Sequence, residues 1–324
     1  MNYSENALNV MAARIYKGIG RAWIVKNLSV PMPADTIVQL LNKSAKPGSE
    51  VTIDDFNKKK ATLRRILGES SSAIDGVVAI GDDNFPPHRG SVKNSERPIF
   101  LFYRGDLSLL AANSKNIAVI GLLNPSREIE NIEQKLVSGL VTSGAVIVSG
   151  LALGCDSVAH QQALDSNGKT VAILPSPLSE IMPAKNKKLA NDIVENGGLL
   201  ISEYLTAPKS KMELSGRYQE RDRLQALFSD LIVLSASYAK NDLGNDSGSR
   251  LAMGYAKDYL IPRAVIYDQE KHSSNPMFDL NRQIIQEEPG IVIFNEKNSV
   301  SALLKILRAS PGAVERHPVQ KSMI

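Results

Sequence analysis

The chain has 324 residues, 43% of them apolar and 22% charged, with a formal net charge of +4. That length suggests about two domains, or one large α/β domain with an appendage, and it can bury a sizeable core without disulfides or metals. One cysteine, Cys155, excludes an internal disulfide and a cysteine-based zinc site. No apolar run reaches the roughly 18 residues of a membrane span, and the first residues lack the basic-then-apolar pattern of a secretory signal. A cytoplasmic protein without metal or cofactor is expected. The charge permits a polyanion partner without requiring one.

Residues 1–72 read as a small helical domain. Helical spacing runs over Ala7 to Lys17, Ala34 to Leu41 and Ile53 to Leu67. Gly18-Ile19-Gly20 interrupts the first of these stretches, and Pro31 and Pro33 end the segment that follows. A helix–Gly-x-Gly–helix turn either packs two helices or offers backbone N–H groups to a phosphate. Residues 1–75 carry 11 Lys/Arg against 7 Asp/Glu. Lys58, Lys59, Lys60, Arg64 and Arg65 read either as a solvated helix face or as a phosphate contact. Ser70-Ser71-Ser72 reads as a linker.

Beyond it, short strands are expected at Gly76 to Ile80 and Pro98 to Tyr103. From Asn116 the pattern alternates. Apolar strands at 117–120, 145–148, 170–174, 199–202 and 231–234 are separated by helices at 126–143, 157–164, 186–195 and 217–228. A helix at 248–257 and strands at 264–267 and 291–294 follow. Fully apolar strands alternating with helices predict α/β architecture: a doubly wound, Rossmann-like parallel sheet covered on both faces. It spans residues 73–295. Residues 296–324 are left as a C-terminal helix and tail, the helix at Val300 to Arg308.

In such a sheet the ligand lies beyond the carboxyl ends of the strands, near a reversal of strand order. Glycines stand there at 121, 150, 154 and 248. They either shape tight turns or let backbone N–H groups and helix N-termini approach a phosphate. Asp156 is expected to cap the helix that follows Gly154. Enzyme motifs are missing: no Gly-x-Ser-x-Gly elbow and no Gly-x-x-x-x-Gly-Lys-Ser/Thr loop is present. His160 and Cys155 read as packing residues.

Ser149-Gly150-x-Ala152-x-Gly154-x-Asp156-x-x-Ala159-His160 resembles the signature of the DprA/Smf family, bacterial DNA-processing protein A. The resemblance continues through Pro183-x-x-Asn186, Gly197-Gly198-Leu199-Leu200-Ile201-Ser202-Glu203-Tyr204, Arg221-Asp222-Arg223, Ser247-Gly248-Ser249 and Leu280-Asn281-Arg282. It covers roughly residues 76–290. It implies a domain that binds single-stranded DNA, forms a homodimer and hands the strand to a RecA-type recombinase, with no catalytic residue. Strand-end reading and resemblance together nominate Gly121, Asn124, Ser126, Ser149, Gly150, Gly154, Asp156, Lys185, Asn186, Arg221, Arg223, Ser247, Gly248 and Ser249 as phosphate- or DNA-binding residues. Several positions depart from the family pattern, among them Leu122, Met182 and Gln219-Glu220. Leu123 stands where an arginine is usual, and Asp222 replaces an amide. The departures keep a second reading open, a non-catalytic sensor of a small nucleotide-derived ligand in the same pocket.

Overall fold

The computed structural model describes residues 1–44, 50–239, 248–295 and 300. The chain opens with β1 (Asn2–Tyr3) and four helices, α1 (Glu5–Arg14), α2 (Arg21–Asn27), α3 (Ala34–Ser44) and α4 (Ile53–Glu69). Ser4 and Thr52 cap α1 and α4 by accepting from Ala7 N and Asp55 N. Next come β2 (Gly76–Ala79), β3 (Phe100–Gly105), β4 (Asn116–Ile120), α5 (Arg127–Thr142), β5 (Val146–Ser149), α6 (Cys155–Asp165) and β6 (Thr170–Leu174). Then follow α7 (Lys187–Glu195), β7 (Leu199–Ser202), α8 (Lys211–Leu227), β8 (Leu231–Leu234), α9 (Gly248–Asp258) and β9 (Arg263–Ile266). Helices α10 (Gln269–His272) and α11 (Asp279–Glu287) lead to β10 (Val292–Phe294). The expected helix from Val300 to Arg308 lies, past Val300, outside the described residues.

The ten strands form one sheet in the order β1-β2-β3-β7-β6-β5-β4-β8-β9-β10. From β6 to β10 all pairs are parallel. The segment β6-β5-β4-β8-β9-β10 is the doubly wound order, and it reverses at β4. The sheet is not parallel throughout. β3 runs antiparallel to both β2 and β7. β1, not expected from the sequence, pairs with β2 as an edge strand.

Residues on opposite faces of a strand enter different cores. On β6, Val171 and Ile173 join a cluster with α5, α8 and α9, through Leu136, Leu224 and Met253. Ala172 and Leu174 join a second cluster with Leu8, Ile24, Phe56 and Leu67 from the N-terminal helices and Ile193 from α7. Helices α1–α4 therefore share a core with the sheet they cover. None of the described helices is long and apolar enough to cross a membrane.

Candidate nucleic-acid interface

Where the strand order reverses, the loops after β4 and β5 meet the starts of α6 and α9 and one face of α8. They enclose a cavity of about 410 Å3. Gly121 and Leu123 line it from the first loop, Ala152 and Leu153 from the second, and Gly248 and Ser249 from α9. Its remaining wall includes Tyr218, Arg221, Asp222 and Gln225 of α8. Larger cavities of about 970 and 710 Å3 lie beside β1 and β2, far along the sheet. Among their described lining residues are Asp75, Asp82, Asp83 and Asp106 and no Lys or Arg, which disfavours an anionic ligand.

The glycines hold the loops against one another. A Cβ on Gly121 would stand 2.5 Å from Cys155 Sγ, and one on Gly150 only 1.3 Å from Arg221 Nη1. Gly154 has φ +73°, and its Cβ would meet Leu122 O at 2.2 Å. Glycine is thus required at 154 for both backbone conformation and space. The first N–H of α6 is already used: Cys155 N donates to Leu122 O at 2.9 Å. This helix start is less open to an anion than the sequence suggested, because the first loop folds onto it.

The charged centre is a guanidinium between two carboxylates. Arg221 Nη1 lies 3.5 Å from Asp156 Oδ2, and Arg221 Nε lies 3.6 Å from Asp222 Oδ1. Gln225 Nε2 donates to Asp222 Oδ1 at 3.1 Å. The Arg221 guanidinium also stands 5.6 Å from the Tyr218 ring centre. Burial pushes the Asp222 carboxyl up to about 7, with Arg221 opposing part of the shift. Asp156 does not occupy the N-cap of α6, which is Gly154. From the first turn its carboxylate reaches back to accept from Ala152 N at 3.2 Å, and so braces the loop.

Other nominated residues have structural duties. Ser126 caps α5, accepting from Ile129 N at 3.4 Å. Ser149 Oγ is buried and donates to Val119 O at 2.7 Å. Asn186 Nδ2 ties the second loop down, donating to Leu151 O at 2.8 Å and Ser157 Oγ at 2.8 Å. Ser249 Oγ donates to Gly121 O at 2.9 Å and joins α9 to the first loop. Asn124 and Lys185 are exposed and do not line the cavity. Ser247 lies outside the described residues.

Arg223 does not join this cluster. It is 1% exposed, and its Nη2 donates to both carboxylate oxygens of Glu203 at 2.7 Å. Two positions along the helix from Arg221, it projects from another side of α8. Four of the five basic residues singled out on α4 are likewise engaged within the protein. Lys60 and Arg64 both pair with Glu5, Arg65 pairs with Glu69, and Lys59 lies over the Tyr16 ring. Gln225, not nominated from sequence, was discoverable: it stands one helical turn after Arg221, on the same face.

Beneath the first loop lies Glu133, fully buried on α5. Burial raises its carboxyl to about 8, opposed by Cys155 and Ser235. Its unfolded value is about 4.3. A raised folded pKa means the native state binds the proton more tightly, so stability falls as pH rises from about 4 to about 8. Glu133→Gln is expected to melt progressively higher than the parent as pH increases across that window. A melting difference that stays constant from about pH 5 to about pH 9 contradicts this assignment. Burial also pushes the Cys155 thiol well up. His160 is lowered to about 3 by burial and by Arg221, while its Nδ1 lies 2.7 Å from Thr170 Oγ1. Neither is suited to serve as nucleophile or base near neutral pH.

Residues 76–298 match the family model of DNA recombination-mediator protein A. The chain is 34% identical over 166 residues to DNA processing protein DprA of Streptococcus pneumoniae, covering 51% of this chain and 56% of that one. It is 32% identical over 168 residues to protein Smf of Escherichia coli, covering 52% and 43%. The aligned regions thus span about half the length of the curated relatives it matches. The solved S. pneumoniae DprA shares the fold over 94% of this chain and 98% of its own, with a TM-score of 0.68 at 22% identity. DNA processing protein A from Helicobacter pylori, whose structure is described as revealing a unique single-stranded DNA binding mode, aligns at 30% identity. It covers 64% of this chain and 88% of its own, with a TM-score of 0.52. With 76–298 matched, more than half of its length, this chain belongs to the DNA recombination-mediator protein A family.

Proposed function

We propose that this chain binds single-stranded DNA, with a backbone phosphate seated at the cavity where the strand order reverses. The observation that carries the reading is Arg221. It is the cation among the described lining residues, and Gly150, which has no Cβ, makes room for its guanidinium. A phosphate there would accept from Arg221, and such charge-assisted hydrogen bonds contribute roughly 1.5–3 kcal/mol. Tyr218, Leu123 and Leu153 offer apolar surface for a base. The single-stranded DNA in the description of the H. pylori relative supports the same choice of ligand.

Further parts of the proposal rest on family membership: a role in DNA processing and uptake, a homodimer, transfer of the strand to a RecA-type recombinase, and a cytoplasmic location. The chain acts by binding and not by catalysis, a reading supported by the buried thiol of Cys155 and the buried, neutral imidazole of His160.

The test is fluorescence anisotropy with labelled oligothymidine of increasing length, single- and double-stranded, at two salt concentrations. Salt-sensitive binding that prefers single strands and needs a minimum length supports the proposal. Saturation by a mononucleotide with no gain from length replaces it with a small-nucleotide sensor. Leu123 supplies a gain-of-function check. It is 57% exposed at the cavity mouth, so Leu123→Arg adds a cation without disturbing the core. The variant is expected to bind oligothymidine about tenfold tighter, with a steeper salt dependence. Unchanged affinity would place the strand elsewhere.

A further inference from the structure

The charged groups among the described cavity-lining residues are Asp156, Asp222 and Arg221. With both carboxylates ionised, the site carries net negative charge before any ligand arrives. A phosphate entering it would face two carboxylates across one guanidinium, in a partly enclosed space where charges are poorly screened. One carboxylate must lose its charge for the site to favour an anion.

The surroundings single out Asp222. Asp156 has an acceptor's partner in Ala152 N at 3.2 Å and faces the outer nitrogen Arg221 Nη1. Asp222 is 4% exposed and accepts from the neutral amide of Gln225, while its distance to Arg221, 3.6 Å from Nε, matches that of Asp156. Its Oδ2 stands 2.8 Å from where a Cβ on Gly248 would lie, at the start of α9. Besides burial, the groups that act on its charge among the described residues are Arg221 and Gln225 on its own helix and Asp156 from α6, and Tyr218 of α8 and Tyr255 of α9 lie within its electrostatic reach. Arg221 Nε is buried without a hydrogen-bond partner, and it faces Asp222 Oδ1.

We propose that Asp222 couples this cavity to pH: a phosphate enters together with a proton from solvent, which neutralises the Asp222 carboxyl. The inference rests on the reading of this cavity as a DNA site. Neutral Asp222 presents an O–H that donates to a phosphate oxygen, as an amide would. Ionised Asp222 repels it. Burial already holds the carboxyl near neutrality, at about 7, so the change falls in the physiological range. Binding therefore weakens as pH rises, by up to about tenfold per pH unit for one linked proton.

The experiment measures anisotropy of labelled oligothymidine at constant ionic strength from about pH 6 to about pH 8.5, for the parent and for Asp222→Asn. The parent is expected to lose affinity above about pH 7. The asparagine variant, nearly isosteric, is expected to show a flat profile and to bind about tenfold or more tighter than the parent at the alkaline end. A second measurement needs no variant. Calorimetric titration of the parent near pH 8, in two buffers of different ionisation enthalpy, is expected to report uptake of about one proton per site. Parallel pH profiles, or no proton uptake, overturn the role of Asp222 and leave the DNA site standing. No binding by either protein at any pH and low salt overturns both.

Discussion

Arg223→Ala is expected to destabilise the protein by about 3–5 kcal/mol, the cost of stripping one partner from a buried ion pair. Arg223 is among the largest fully buried side chains of the molecule. It holds both oxygens of Glu203, whose side chain is itself only 6% exposed. Arg21 of α2 reaches the same glutamate at 3.3 Å and Glu220 at 2.7 Å. The network thus ties the N-terminal helices to β7 and α8. Truncation leaves Glu203 desolvated with only Arg21 nearby, and urea denaturation should show the loss. Pairing Arg223→Met with Glu203→Leu should recover most of the stability, because the uncompensated charge goes with its partner. Arg223→Lys that melts like the parent yet fails to bind DNA would return Arg223 to the binding site.

Arg221→Ala is the functional counterpart. Removal of the cavity's cation is expected to weaken oligothymidine binding roughly 10- to 100-fold, as the loss of a charge-assisted contact predicts. The slope of log affinity against log salt should fall by about 0.7 for the phosphate no longer neutralised on a single strand. Stability should suffer less than in Arg223→Ala, because Asp222, already raised to about 7, can take up a proton once its neighbour is gone. A melting curve alongside the binding curve separates the two effects.

The contrast between Arg221 and Arg223 marks what the sequence could reveal. The motif Arg221-Asp222-Arg223 carries two cations and no record of which one faces the cavity. Helical geometry sends residues two apart to different sides, and only the packed position of α8 decides which side meets the glycine turns. The sheet was more legible. Apolar strands such as 117–120 and 231–234 alternate with amphipathic helices, and the doubly wound sheet follows from that pattern, whereas the place of the reversal, at β4, is seen in the strand order itself. The antiparallel β3 was not legible, since Phe100–Gly105 reads as a strand without stating its direction. The two-residue β1 is too short to carry any period. Gly121 and Gly150 directly follow strand ends, and Gly154 and Gly248 stand at the starts of α6 and α9, yet several polar neighbours proved to be ties. Ser149, Asn186 and Ser249 spend their hydrogen bonds on carbonyls of the adjoining strand and loops, a duty invisible until the loops pack. The basic residues of α4 were ambiguous for a similar reason: Glu5, which neutralises Lys60 and Arg64, lies far away in the chain.

The central claim is that a DNA strand is held at the Arg221 cavity. The most direct measurement is a salt-titrated anisotropy series with single-stranded oligothymidine on the parent and on Arg221→Ala, both verified as folded by thermal melting. The account predicts salt-sensitive binding by the parent and a roughly 10- to 100-fold weaker, less salt-sensitive variant. Equal affinity and equal salt slope in the two folded proteins would contradict it.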